Sequence, residues 1–269
     1  MVYPRLVVQH VERARGLALA RVTASPAVAG MIIGPILNQY VETHGWQAAY
    51  QALALCASIS GVVVFLLIPP DGQRAKGPRA RPEKFSAAYR EIFAARAFWI
   101  LALAMLLCNL PQTLLLTQIK LLVMDQGISG EGAAAMLSAM SFGMLAGRLA
   151  TGVALDRFPP HIVAFIALGG PTLGLFALVS PLDGPAVVMA AVALLGFAFG
   201  AEGDAVAFLV ARHFRVAVYS SVMGLMTAIM SFSTALGAAV LSMVLARTER
   251  FDPFLNGTGI AVALGAALL

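Results

Sequence analysis

The chain is 269 residues long, 60% hydrophobic and 12% charged, with a mean hydropathy of +0.86. Soluble domains carry about 25% charged residues, so this composition describes an all-α membrane protein and argues against an ordinary soluble enzyme. The formal charge of +5 comes from 18 Lys and Arg against 13 Asp and Glu, and the basic residues fall in short segments between apolar runs, as the positive-inside rule expects, which points away from a nucleic-acid partner.

A helix crosses a bilayer in about 20 apolar residues. Spans are predicted at 17–41, 47–68, 97–123, 133–155, 161–180, 185–211, 219–246 and 254–269, about seven complete ones and a last that stops at Leu269. Residues 1–11 read as the tail of a further helix, so the chain is expected to be cut at both ends. Nothing at the start resembles a secretory leader. Arg13, Arg15 and Arg21, the crowd from Arg74 to Arg96, Arg157 and the Arg212/Arg215 pair alternate onto one side, predicted to be cytoplasmic.

The first span holds Pro35, an expected kink, and ends near Asn38 and Gln39, which read as interfacial. The Pro/Gly-rich, basic segment 69–96 is predicted to be a cytoplasmic linker between a first unit at 1–68 and a second at 97–269. Within it Phe85, Tyr89, Ile92 and Phe93 recur at helical spacing, which predicts a short amphipathic helix or, equally, a solvated basic loop. Cys56 and Cys108 each sit in an apolar run, and the four histidines are far apart, so neither a disulfide framework nor a metal site is expected. No G-x-S-x-G or Walker sequence is present, and no enzyme chemistry or cofactor is predicted.

The third span carries Asn109, Gln112, Thr113, Thr117, Gln118 and Lys120. Five of these approximate one helical stripe, which must face protein or a water-filled path. Asn109, Gln112 and Gln118 are therefore candidate solute-binding residues. The fourth span holds Arg148 about 12 Å from its cytoplasmic end at 1.5 Å per residue. A charge so deep in a membrane is costly and marks a cavity or a pathway. Arg148 is either the cation that binds a substrate carboxylate or one half of a fixed ion pair. The span leaves the membrane through Gly152, Asp156 and Arg157.

Gly200-Ala-Glu-Gly-Asp204 places Glu202 and Asp204 near mid-bilayer, about 200° apart on a helix. Each is a candidate protonatable coupling group, or a counter-ion to Arg148. Pro111 and Pro171 are expected kinks, and Gly30/Gly34, Gly143/Gly147, Gly170/Gly174 and Gly196/Gly200 predict close helix packing. A retinal-type receptor would need a lysine in the last full span, and 219–246 has none.

Several of these stretches resemble the monocarboxylate/oxalate–formate branch of the major facilitator superfamily. Arg15-Gly-Leu-Ala-Leu-Ala, followed by a proline-bearing helix ending at His44-Gly45-Trp46, is similar to its helix 5. The Asp125-Gln-Gly-Ile-Ser129 turn and Gly147-Arg148-Leu149 through Asp156-Arg157-Phe158 resemble its helices 7 to 9. Gly200 to Asp204, Arg212-His213-Phe214 and Tyr219 to Gly224 resemble helix 10 and the approach to helix 11.

The resemblance implies helices 4–12 of a twelve-helix alternating-access carrier in the cell (inner) membrane, in contact with the lipid bilayer. It implies a small organic anion, a monocarboxylate moved with a proton, as cargo. It makes Arg148 the carboxylate-binding residue and Gly152, Asp156 and Arg157 a cytoplasmic gating motif. Three departures stand out: Pro159, Pro160 and His161 follow Phe158 where the family prefers Gly and basic residues, Met144 stands where animal members carry an acid, and the helix-11 lysine of oxalate carriers is missing. Export of a neutral or cationic compound on the same fold, or a non-functional fragment, are the alternatives.

Overall fold

The computed structural model describes residues 25–67, 85–128, 130–181 and 184–269. The helix tail expected at 1–11, the Arg15 stretch, the linker residues 69–84 and Asp183 lie outside these. The described residues are helical, and the chain divides into one compact unit within Val28–Lys84 and another built from Phe85–Leu269.

The described part of the first unit is α1 (Ser25–Leu67) from Val28 onward, interrupted at Gly45 (φ 81, ψ 163). That conformation is cheap for glycine alone, and it cuts 43 residues into two stretches of about 20, each of spanning length. Tyr40 stacks on His44 with centroids 4.4 Å apart, and Trp46 meets Tyr50 edge-on, so aromatic rings flank the break as they do at membrane interfaces. Elsewhere in α1, including at Pro35, the backbone dihedrals stay helical.

The second unit opens with α2, Phe85–Ala94, and continues after Ala95 into α3, Arg96–Cys108. A π-helical turn, Leu114–Gln118, and α4, Ile119–Asp125, complete the third span. Then come α5 (Gly130–Arg157), α6 (Pro160–Gly169), α7 (Pro171–Val179), α8 (Pro185–His213), α9 (Val216–Thr248) and α10 (Asp252–Ala267). The α6–α7 junction falls at Gly170-Pro171, where the sequence predicts a kink, because Pro171 has no N–H to continue the ladder. Pro160–Val179, α8 and α9 are each long and apolar enough to cross a membrane.

Helices α5 and α8 share the most extensive contact of the unit, and the glycine pairs read from the sequence make it. A Cβ at Gly147 would stand 1.9 Å from Phe197 O and one at Gly143 2.1 Å from Ala193 O. Reciprocally, Gly196 and Gly200 lie under Met140 O and Met144 O, at 2.2 and 1.9 Å from a notional Cβ. The backbones touch, with no room for a side chain between them.

Two apolar clusters fill the unit. One joins α2, α3, α6 and the last turns of α8 to the first turns of α9, through Phe98, Met105, Val210, Tyr219 and Met226. The other joins the π-turn, α7, the first turns of α8 and α10, through Leu114, Leu175, Leu195 and Leu255. Between them each long helix has a stretch that belongs to neither: 109–113 after α3, 196–204 in α8 and 231–237 in α9. Gln112, Glu202, Ser231 and Thr234, four of the polar residues of the site, lie in these stretches.

Helix α2 realises the predicted amphipathic helix. Ile92 is fully buried, Trp99 Nε1 donates to Phe93 O at 2.9 Å, and Arg215, at the start of α9, donates Nε to Glu91 at 3.0 Å and Nη2 to its second oxygen. That hydrogen bond holds the Glu91 carboxyl below its ordinary value. A depressed carboxyl contributes stability above its unfolded value, and that contribution is lost as pH falls through the lowered one. Acidification should therefore loosen α2 from α9, seen as a change in Trp99 emission in a Trp46→Phe background. Glu91→Gln should give the loosened signal at neutral pH and remove the acid transition. Because both partners are exposed, the effect is expected to be small.

Candidate substrate-binding site

The third span breaks where the sequence is most polar. Pro111 lacks an N–H, Asn109 ends α3 with its N–H on Met105 O, and Leu114 N bonds back to Pro111 O at 3.0 Å before the π-turn begins. Helix α9 clamps this break. Ser233 Oγ donates to Leu106 O at 2.5 Å, and Gly237 lets the Leu110 carbonyl approach so closely that a Cβ would stand 2.1 Å from it.

The break corrects one expectation. Asn109, Gln112, Thr113, Thr117 and Lys120 do not form one continuous stripe, because the π-turn and the preceding tight turns rotate the chain between them. Asn109 is buried, with Nδ2 on Met105 O at 2.9 Å. Thr117 bonds Thr113 O within its own helix at 2.8 Å, and Lys120 is exposed. Gln118 is half-buried in the π-turn and does not line the cavity described next.

Gln112 is turned inward to a cavity of about 460 Å³, whose polar wall is Gln112, Arg148, Glu202, Thr227, Ser231 and Thr234. Four helical segments supply it. Arg148 follows Gly147, the contact point of α5 on α8, and so projects beside the crossing. Its Nε is buried without a hydrogen-bond partner, and no described carboxylate pairs with its guanidinium.

Glu202 is buried, and its Oε2 accepts a hydrogen bond from Gln112 Nε2 at 2.5 Å, while Oε1 has no hydrogen-bond partner. Gln112 Oε1 in turn accepts from Thr234 Oγ1 at 3.2 Å. Behind Glu202 a space of about 30 Å³, bordered by Cys108, Pro111 and Pro171, has room for a single water.

Asp204 is as deeply buried as Glu202, but two residues along α8 it lies outside the wall of the cavity, as their angular separation predicts. Gly152 is buried near the end of α5, and Asp156 and Arg157 are exposed there. No group of His, Cys, Asp and Glu that could hold a metal occurs among the described residues.

The sequence reading missed Thr227, Ser231 and Thr234. Their spacing, i, i+4 and i+7, is a hydroxyl stripe down one face of α9, the same signal that drew attention to the third span.

A buried carboxyl and an arginine whose buried Nε has no hydrogen-bond partner among the described residues line one cavity in a bundle that includes helices long enough to cross a membrane, and comparison with known families places that bundle. Residues 2–238 match the Major Facilitator Superfamily. The chain belongs to that superfamily.

Its sequence is 26% identical over 183 residues to Monocarboxylate transporter 11 of Homo sapiens, covering 65% of this chain and 38% of that protein. The chain thus spans well under half the length of this relative. The E. coli fucose:proton symporter FucP has the same fold, with a TM-score of 0.71 at 14% identity over 98% of this chain and 70% of that one. A structure of FucP in the outward conformation gives a TM-score of 0.73 at 15% identity with the same coverage. As a major facilitator chain the protein is a multi-pass membrane protein.

Proposed function

We propose that the protein carries a small monocarboxylate across the cell (inner) membrane, together with a proton, by alternating access around the cavity between the two apolar clusters. The observation that carries this reading is Arg148: a guanidinium placed in a cavity wall with a buried Nε that has no hydrogen-bond partner and no ion pair to a carboxylate among the described residues. Leaving a cation so placed is costly unless its partner arrives from outside, and the partner of matching charge and geometry is a carboxylate. Glu202, bonded to a neutral amide instead of to Arg148, is free to exchange a proton in the same cavity, and we assign it the coupling role in preference to Asp204. The likeness to Monocarboxylate transporter 11 supports the substrate class, and the likeness to a fucose:proton symporter is compatible with proton coupling.

Labelled short-chain monocarboxylates should be taken up by cells producing the full-length protein, and Arg148→Ala should reduce that uptake at least about tenfold, the loss expected for removing one partner of a buried charged hydrogen bond. Arg148→Lys should rescue poorly, because a point charge cannot replace the planar fork. Unimpaired carboxylate uptake by Arg148→Ala would refute the role of Arg148. A neutral, hydroxyl-bearing solute is the second reading, favoured by Gln112, Thr227, Ser231 and Thr234 in the wall. It predicts uptake of a sugar such as fucose that excess monocarboxylate does not compete away.

A further inference from the structure

Gln112 is held at both ends of its amide. Nε2 donates to Glu202 Oε2 at 2.5 Å, and Oε1 accepts from Thr234 Oγ1 at 3.2 Å. Thr234 Oγ1 also lies 3.0 Å from Met230 O, one turn earlier in α9. A hydroxyl has a single hydrogen to give but can accept as well, so Thr234 can serve one of the two oxygens at a time as donor.

Two bonding patterns follow from this inventory. With Glu202 ionised, the amide presents its NH2 to the carboxylate, and Thr234 gives its hydrogen to Gln112 Oε1. With Glu202 protonated, the carboxyl O–H donates to Gln112 Oε1. The amide is then turned over, Nε2 donates to Thr234 Oγ1, and the Thr234 hydrogen goes to Met230 O. In both patterns the hydroxyl hydrogen of Thr234, one hydrogen of the Gln112 amide and, where present, the carboxyl hydrogen have acceptors, and the proton on α8 decides which pattern α9 adopts.

We infer that Thr234 is a positioning residue through which α9 registers the protonation of Glu202, by way of the Gln112 amide. This rests on the proposed proton role of Glu202. The hydroxyl sits where such a signal would matter, since its neighbours Ser233 and Gly237 hold α9 against the break that follows α3.

Other charged or titratable groups around Glu202 are few. Arg148 of α5 lines the same cavity, Cys108 of α3 borders the small space behind the carboxyl, and Asp204 is two residues along α8. Helix α7 contributes none, the His161 of α6 is exposed at the far end of that helix, and Tyr219 stands at the start of α9.

Difference infrared spectra of the protein in lipid nanodiscs, recorded across the range in which carboxyls and imidazoles titrate, test the inference. The Glu202 acid carbonyl band is assigned by its loss in Glu202→Gln, and the Gln112 amide carbonyl band by its loss in Gln112→Leu. In the wild type the amide band should shift with the same midpoint as the Glu202 band. Thr234→Val should abolish the amide shift while Glu202 still titrates, and Thr234→Ser, which keeps the hydroxyl, should restore it. A pH-silent amide band, or one that shifts equally in Thr234→Val, overturns the inference and leaves the proton role of Glu202 standing. A Glu202 band that does not titrate at all overturns both.

Discussion

Gly147→Val is expected to destabilise the bundle by about 3 kcal/mol, the upper part of the range for overpacking a tight interface. The notional Cβ overlaps a backbone carbonyl, Phe197 O at 1.9 Å, and not the end of a flexible side chain. No rotamer change relieves it, so α5 and α8 must separate. Because Arg148 is the next residue, separation also carries the guanidinium away from Glu202 and Thr234. Gly200→Ala attacks the same crossing from α8, through Met144 O. The two changes together should cost less than their sum, because one separation accommodates both. Gly224→Ala is the control: nothing lies within 4 Å of its notional Cβ, and the higher helix propensity of alanine should leave stability unchanged or raised by up to about 1 kcal/mol. Denaturant titration in mixed micelles, following helicity, checks the series. A Gly147→Val protein as stable as the wild type would mean that the α5–α8 contact is not made.

The positions of the helices were legible in the sequence because hydrophobic length and loop charge report directly on a membrane environment. The gap between spans around Gly45, the kink at Pro171 and the close packing at the glycine pairs were legible for a similar reason: glycine and proline act through the backbone, and their effect is local; which helices the glycine pairs join was not. The polar stripe of the third span was misread because helical periodicity was carried through Pro111, where the tight turns and the π-turn change the phase. Gln112 faces the cavity for that reason, while Thr117 and Lys120 do not. Thr227, Ser231 and Thr234 escaped notice because single hydroxyls are common in membrane helices and bond back to their own turn, as Thr227 does to Met223 O at 2.9 Å. The packing of α9 against the break is what sets this face opposite Gln112. Glu202 was legible as a buried carboxyl, but its bond to Gln112 joins residues 90 apart in the chain, which no spacing rule anticipates.

Glu202→Gln should uncouple the carrier. The substituted amide fits the same space and can still accept from Gln112, so the bundle should remain folded. It has no proton to gain or lose, so accumulation of carboxylate against its gradient, driven by an inward proton gradient, should fall to the level of empty vesicles. Exchange of carboxylate for carboxylate, which needs no net proton movement, should persist at a reduced rate. The contrast with Arg148→Ala separates the two roles: loss of the guanidinium should remove exchange and accumulation together.

The proposed pairing of one carboxylate with one proton is tested most directly by the lumen pH of liposomes containing the full-length protein, after an inward monocarboxylate gradient is imposed without a pH gradient. Wild-type vesicles are predicted to acidify inside as carboxylate enters. Glu202→Gln and Arg148→Ala vesicles are predicted to stay at the starting pH. Carboxylate entry without acidification in the wild type, or acidification that survives Glu202→Gln, would contradict the account.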